Sequence, residues 1–365
     1  MRQIFIVAAV CLLMLAGSTQ ASEISVYGTF MNGGSVLNTA TANSMMILDD
    51  GLLSLWTNPA GILSDRHQIF AGGSLQTAYS TQSQVSPANV KAGIGMIGYL
   101  YTFPTSAFAL AFTPRNSVEA SAEYNLSTTS YEIRNTFTYS EVTATYARKL
   151  GRGYSLGVSA GPILGQGKAG AITESNPQET LYSPLLWFAR IGLKQKTGVM
   201  SWGLALETPS IGKFTIEEPT LVGYQRTKTD IDYSGALGVR AGVGWDMRFM
   251  GVEMDALYYN TDMIQVDGES ANFDAPVLSV GAAAQMQVHE LVRARMGLRV
   301  RVEDPNDRSF LQLGMGGSYT ISEELLVYGS GGIMFPYGDG IKGTAYDDLL
   351  PFTLRAGVIY QNLLE

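Results

Sequence analysis

The stretch from Leu291 to Val302 places arginine at four alternate positions, Arg293, Arg295, Arg299 and Arg301, while Val292, Ala294, Met296, Leu298, Val300 and Val302 fill the positions between. Successive side chains of a strand point to opposite faces, so this segment has one wholly apolar face and one strongly basic one. A lipid-facing arginine costs about 2–4 kcal/mol at the bilayer midplane, and four would cost up to the order of 10 kcal/mol. The apolar face therefore suits hydrocarbon, and the arginines belong to an enclosed interior. The same test sorts other segments. Arg190 and Lys194 oppose Trp187, Ala189, Ile191 and Leu193; Arg240 opposes Leu237, Val239, Ala241 and Val243; Glu253 and Asp255 oppose Val252, Met254, Ala256 and Tyr258; Arg355 opposes Leu354, Ala356, Val358 and Tyr360.

Period-two alternation and turn residues place strands at 68–77, 91–101, 105–113, 139–149, 153–164, 184–195, 199–207, 233–245, 249–260, 276–288, 291–302, 309–320, 324–334 and 351–361. Most have the length of a tilted strand crossing a bilayer. The connectors between them switch regularly between long and very short, the short ones exemplified by Lys196-Thr197-Gly198, Asp246-Met247-Arg248 and His289-Glu290. Long loops on one side, tight turns on the other and an even strand count describe an all-β fold, a transmembrane antiparallel β-barrel of about fourteen strands. A soluble β-sandwich alternates too, but without that rhythm and with a more mixed polar face. Tyr99, Tyr101, Tyr146, Tyr258, Tyr319 and Tyr360, all near strand ends, are candidates for the interfacial aromatic girdles.

Residues 1–21 read as a secretory leader: Arg2, an apolar run from Ile4 to Leu15, then Thr19 and Ala21 at the positions a leader peptidase reads. The sole cysteine, Cys11, lies inside that apolar run, so thiol and disulfide chemistry are not expected of the exported chain. Export of a barrel implies the bacterial outer membrane, with multiple strand crossings, its lipids and lipopolysaccharide as surroundings, and the barrel assembly machinery as a partner in biogenesis. The C-terminus lacks a final aromatic residue, ending Gln361-Asn362-Leu363-Leu364-Glu365. With 24 Lys and Arg against 32 Asp and Glu the formal charge is -8, and the long connectors carry much of the acidity, as in 261–275. Nothing here builds a basic surface for phosphates, so nucleic acid is not an expected partner.

Residues 22–67 are too polar for lipid and too apolar for a free tail, and a barrel of this strand number encloses more space than its inward side chains fill. They are expected to plug the lumen, leaving 68–365 as the barrel. Within them Asp49 and Asp50 are followed by Asn58-Pro59-Ala60-Gly61, where asparagine suits a cap, proline a first helical position and glycine a turn. The acidic pair, the spacer and Asn-Pro-Ala-Gly ahead of the first strand resemble the N-terminal hatch of FadL-type outer-membrane transporters for fatty acids and other hydrophobic compounds, whose relatives include PorV-type secretion components. The resemblance implies a fourteen-stranded barrel, a lipophilic ligand bound between hatch and wall, and its release sideways into the membrane. One departure concerns the third strand, 105–113, which holds no internal proline or glycine to mark a wall kink.

His67 and His289 are the only histidines and neither has a nucleophile or ligand cluster beside it in sequence, so no enzyme, no metal and no cofactor is expected. The interior charges Arg190, Lys194, Arg240, Glu253, Asp255, Arg293, Arg295, Arg299 and Arg301 admit two readings. They form a cross-strand ion-pair network that stiffens the wall and docks the hatch through Asp49 and Asp50, or an arginine among them captures a substrate carboxylate. The functional expectation is a passive channel for hydrophobic, fatty-acid-like molecules. Its alternatives are a barrel component of a secretion system that handles exported proteins, and a structural outer-membrane protein. The face assignment further predicts that Leu298→Arg blocks assembly and Arg299→Leu is tolerated.

Overall fold

The computed structural model describes residues 40–42, 44, 46–48, 51–80, 91–126, 129–173, 176–219, 226–270, 276–304, 308–337 and 349–363. Eighteen strands among these residues form one antiparallel sheet. They are β1 (Arg66–Ser80), β2 (Lys91–Thr102), β3 (Ser106–Leu126), β4 (Thr129–Gly151), β5 (Tyr154–Thr173), β6 (Asn176–Thr197), β7 (Met200–Glu207), β8 (Ile211–Pro219), β9 (Arg226–Ser234), β10 (Leu237–Asp246), β11 (Met250–Asn260), β12 (Gln265–Val266), β13 (Glu269–Ser270), β14 (Val277–His289), β15 (Val292–Asp304), β16 (Arg308–Ser322), β17 (Leu325–Tyr337) and β18 (Leu349–Leu363). Pairing of β1 with β18, from Arg66↔Leu363 to Ser80↔Leu349, closes the sheet on itself.

The wall has fourteen strands, because two of its positions are occupied by strands broken in the middle. β7 and β8 succeed each other along β6, with Arg190↔Glu207 at one side of the break and Trp187↔Ile211 at the other. β9 and β10 continue opposite them, pairing with β8 and β7 respectively. The break stays hydrogen-bonded: the Thr208 N–H donates to the Ala189 carbonyl, the Ala189 N–H donates to the Thr208 hydroxyl, and the Gly235 N–H donates to the Ser210 carbonyl. β12 and β13 are a small hairpin in the acidic connector after β11, turning at Asp267-Gly268, where both residues have positive φ. The Asp267 N–H donates to the Asp232 carbonyl and its Oδ1 accepts from the Asp232 N–H, which ties this connector to β9.

All fourteen strand positions read from the alternation are present, but three outer connectors differ from expectation, since 208–232, read as a long loop, holds β8 and most of β9 as a paired ladder. Residues assigned to long loops after 113 and 164 continue as ladders, β3 with β4 out to Leu126↔Thr129 and β5 with β6 out to Thr173↔Asn176. Each pair extends as a hairpin held by its own backbone ladder, and past the apolar belt no lipid enforces the strict alternation that marks a strand in the sequence. The extension brings Pro114 inside β3, with a register shift between Pro114 and Asn116. The third strand thus holds the proline that the shorter boundary left out. On its other side the β2–β3 ladder ends at Ile97↔Phe112; beyond that point β2 pairs with β1 and β3 with β4.

The faces follow the charge argument. In β15 Met296 and Leu298 point outward, 63% and 47% exposed in the isolated chain, while Arg295 and Arg299 are buried. Met254 and Tyr258 of β11 point out between Glu253, Asp255 and Leu257, which are buried. Tyr99, Tyr101, Tyr146, Tyr258 and Tyr319 are exposed outward as girdle residues require, and Tyr360 is half-buried.

Candidate functional site in the barrel lumen

The described plug residues, Ala40 to Leu63, are almost all buried, and their partners lie on the inward faces of wall strands. Gly51–Ser54 and Pro59–Ile62 each make one 3-10 turn. The second starts as the sequence suggests. Asn58 is extended, at φ -152° and ψ 109°, its side-chain oxygen accepts the Ala60 N–H, and Pro59 takes the first helical position where no donor is needed. Gly61, expected as a turn residue, is the third residue of this helix. Asn58 also acts outward: its Nδ2 donates to the Leu193 carbonyl of β6 at 3.1 Å. From the wall, the Ser155 hydroxyl donates to the Ala60 carbonyl at 3.2 Å and the Gln68 Oε1 accepts the Leu52 N–H at 3.0 Å.

This turn seats on bare backbone. A Cβ at Gly157 of β5 would overlap the Pro59 carbonyl and the Ala60 nitrogen, and one at Gly192 of β6 would overlap the Asn58 side-chain oxygen. The wall glycines thus do more than twist the barrel: here they leave the gap into which the plug fits. Gly157→Ala is expected to lift the Asn58–Gly61 turn from the wall at a cost of about 1–3 kcal/mol, while β5 keeps its register. A lowered unfolding midpoint with an unchanged strand content by circular dichroism checks this. Leu52, Leu55, Trp56 and Ile62 of the plug then bury against Phe70 of β1, Met96 and Leu100 of β2 and the small inward residues Ala107, Ala109 and Ala111 of β3. Trp56 is 1% exposed and its indole N–H has no hydrogen-bond partner among the described residues.

The interior charges fall into separate groups. Arg190 is held between two carboxylates, its Nε 2.7 Å from Glu207 and its Nη2 3.0 Å from Glu141, with its guanidinium 4.4 Å above the Phe188 ring. Lys194 is buried four residues along the same face. Three wall positions along, on β11, Asp255 accepts from Arg240 Nε at 2.5 Å and from Arg299 Nη2 at 2.6 Å. Arg299 continues to the Ser279 hydroxyl and, through Nε, to the Ala42 carbonyl of the plug at 3.2 Å. Glu253 accepts the backbone N–H groups of Met46, Ile47 and Leu48. Arg293 and Arg295 donate to Gln287 and Gln285 toward the His289-Glu290 turn, whereas the Arg301 guanidinium lies 4.4 Å over the Phe310 ring toward the long loops.

Arg240, Asp255 and Arg299 are therefore brought together and joined to the plug, Arg190 belongs to a second cluster, and Arg293, Arg295 and Arg301 are spread along β15. Asp49 and Asp50 lie outside the described residues, and the plug contacts observed run through backbone groups of its neighbours to Glu253 and Arg299. Sequence reasoning passed over Glu141 and Glu207. Glu141 carried the right signal, since Glu141, Thr143 and Thr145 alternate with Val142, Ala144 and Tyr146. Glu207 did not, because its face of β7 is otherwise Ser201, Gly203 and Ala205.

A closed wall of fourteen antiparallel strands, apolar outside, charged inside and filled by its own N-terminal segment, defines the class: a plugged transmembrane β-barrel. No protein-family model and no curated protein sequence matches the chain. Solved structures do. The monoaromatic hydrocarbon channel CymD superposes with a TM-score of 0.65 at 12% identity, over 93% of this chain and 99% of that one. The toluene transporter TbuX of Ralstonia pickettii gives 0.66 at 12%, over 92% and 99%, and a FadL homologue of Pseudomonas aeruginosa 0.65 at 10%, over 94% and 99%. The chain has the fold of the FadL-type barrels that its Asn58-Pro59-Ala60-Gly61 motif resembles.

Proposed function

We propose that this protein is an outer-membrane channel that takes up hydrophobic small molecules, binding them above the plug and passing them sideways through the wall. The observation that carries this reading is the end of the β2–β3 ladder at Ile97↔Phe112, which interrupts the wall's hydrogen bonding beside the apolar surface of Met96, Ala111 and Leu52. Every buried backbone group facing lipid needs a partner, so an unladdered stretch at membrane depth belongs where the wall lines a path. The plug blocks a straight aqueous route, and a lipophile gains nothing from one. The shared fold with channels for toluene and monoaromatic hydrocarbons and with a FadL homologue supports the same reading.

If the cargo carries a carboxylate, Arg301 is the arginine of β15 that meets it first. Arg293 and Arg295 lie nearer the short turns, and Arg299 is engaged with Asp255 and the plug. The purified barrel should bind a fluorescent fatty acid and its alcohol. Arg301→Leu should weaken the acid roughly tenfold to a hundredfold and leave the alcohol unchanged, as a charge-assisted bond is worth about 1.5–3 kcal/mol. Failure to bind any lipophile, with recovery of an exported protein on the long loops, would replace transport by a role in secretion.

A further inference from the structure

The plug is fixed to the wall at two places by different chemistry. Gly51 to Leu63 is held by apolar burial, by backbone seated on wall glycines and by neutral hydrogen bonds, donated by Asn58 and Ser155 and accepted by Gln68. The segment before it is held by charge. The N–H groups of Met46, Ile47 and Leu48 converge on the Glu253 carboxylate at 2.6, 2.9 and 3.0 Å, with a second Ile47 contact at 3.1 Å. Successive amides aimed at one point form a nest, a concave anion site made of backbone alone. A wall side chain more than two hundred residues away fills it.

The same strip of wall supplies the opposite polarity. Arg299 donates to the Ala42 carbonyl while Asp255, itself bound by Arg240, anchors Arg299. The Ser44 hydroxyl adds a donation to the Leu298 carbonyl at 2.8 Å. Glu253 is wholly buried, so without its carboxylate three adjacent N–H groups would face a site from which solvent is excluded. Met46 and Ile47 also pack against Leu257 and Tyr259, but that apolar contact cannot supply acceptors.

We propose that the Met46–Leu48 nest is a carboxylate-binding site occupied by Glu253, and that this pairing is the latch of the plug. Emptying the nest releases Met46 to Leu48 from the wall, while the Asn58–Gly61 turn stays seated. This goes beyond the transport reading and does not depend on the cargo, because ions and a small anion suffice to test it.

The test uses the full-length barrel with Glu253→Ala, and Glu253→Gln in parallel, in planar bilayers and by hydrogen–deuterium exchange. The Ala variant should raise open-state occupancy at least about tenfold over the parent, the scale set by losing one charge-assisted cluster. Its Met46, Ile47 and Leu48 amides should exchange faster while those of Ala60 and Gly61 stay protected. Added formate should restore both closure and protection, and formamide, of similar size and no charge, should not. Unchanged protection at Met46–Leu48 would overturn the latch, as would equal action of formate and formamide. Loss of protection through Gly61 would show that Glu253 supports the whole plug, and failure of both variants to assemble would assign it to the wall; either result also overturns the proposal.

Discussion

Arg190→Leu is expected to destabilise the barrel by about 3–5 kcal/mol, because it strands two carboxylates, Glu141 and Glu207, in a site where all three side chains are buried. Lysine is a poor replacement, since a single ammonium does not reproduce the geometry in which Nε serves Glu207 and Nη2 serves Glu141. Removing all the charges together, as Arg190→Leu with Glu141→Gln and Glu207→Gln, should return much of the loss. Denaturant midpoints of the folded barrel in detergent or vesicles measure both. A single variant as stable as the parent would mean that water reaches this cluster and the carboxylates are solvated.

Leu298→Arg should prevent assembly, at a cost of about 2–4 kcal/mol for a charge on the lipid face near the midplane, on top of lost apolar contact with the membrane. Arg299→Leu, one residue along, should insert. Its consequence differs from what the alternation alone predicts, because Arg299 joins Asp255 and Ser279 of the wall to the Ala42 carbonyl of the plug. Insertion is therefore tolerated and closure is not: the variant should appear in the membrane in parental amount yet conduct ions more often. Folding yield into vesicles and single-channel recording separate the two effects, and equal insertion of both variants would remove the assignment of faces.

The two substitutions also show what kind of knowledge each residue needs. That Leu298 faces lipid and Arg299 does not follows from neighbours in the chain, since period two is a local property and the cost of charge in hydrocarbon is large. That Arg299 touches the plug does not follow, because its partner Ala42 is 257 residues away and any of four arginines on that face satisfies the pattern. The plug contacts show the same limit. Asp49 and Asp50 stand out in the sequence as charges awaiting partners, yet the contact seen nearby uses backbone amides of Met46, Ile47 and Leu48, which carry no side-chain signature.

Strand boundaries divide along the same line. Inside the membrane the alternation is enforced by lipid on one side, and there the expected strands 199–207 and 249–260 match β7 and β11 to within a residue. Beyond it the ladders of β3–β4 and β5–β6 continue without that constraint, so their length, and with it the inclusion of Pro114 in β3, was hidden. Local spacing and the energy of charge in lipid suffice for the barrel, its strand number, its two faces and the Asn58 cap. Which glycines admit the plug, where the β2–β3 ladder stops and that Glu253 fills a backbone nest emerge only on folding, because each depends on groups far apart in the chain meeting in the lumen.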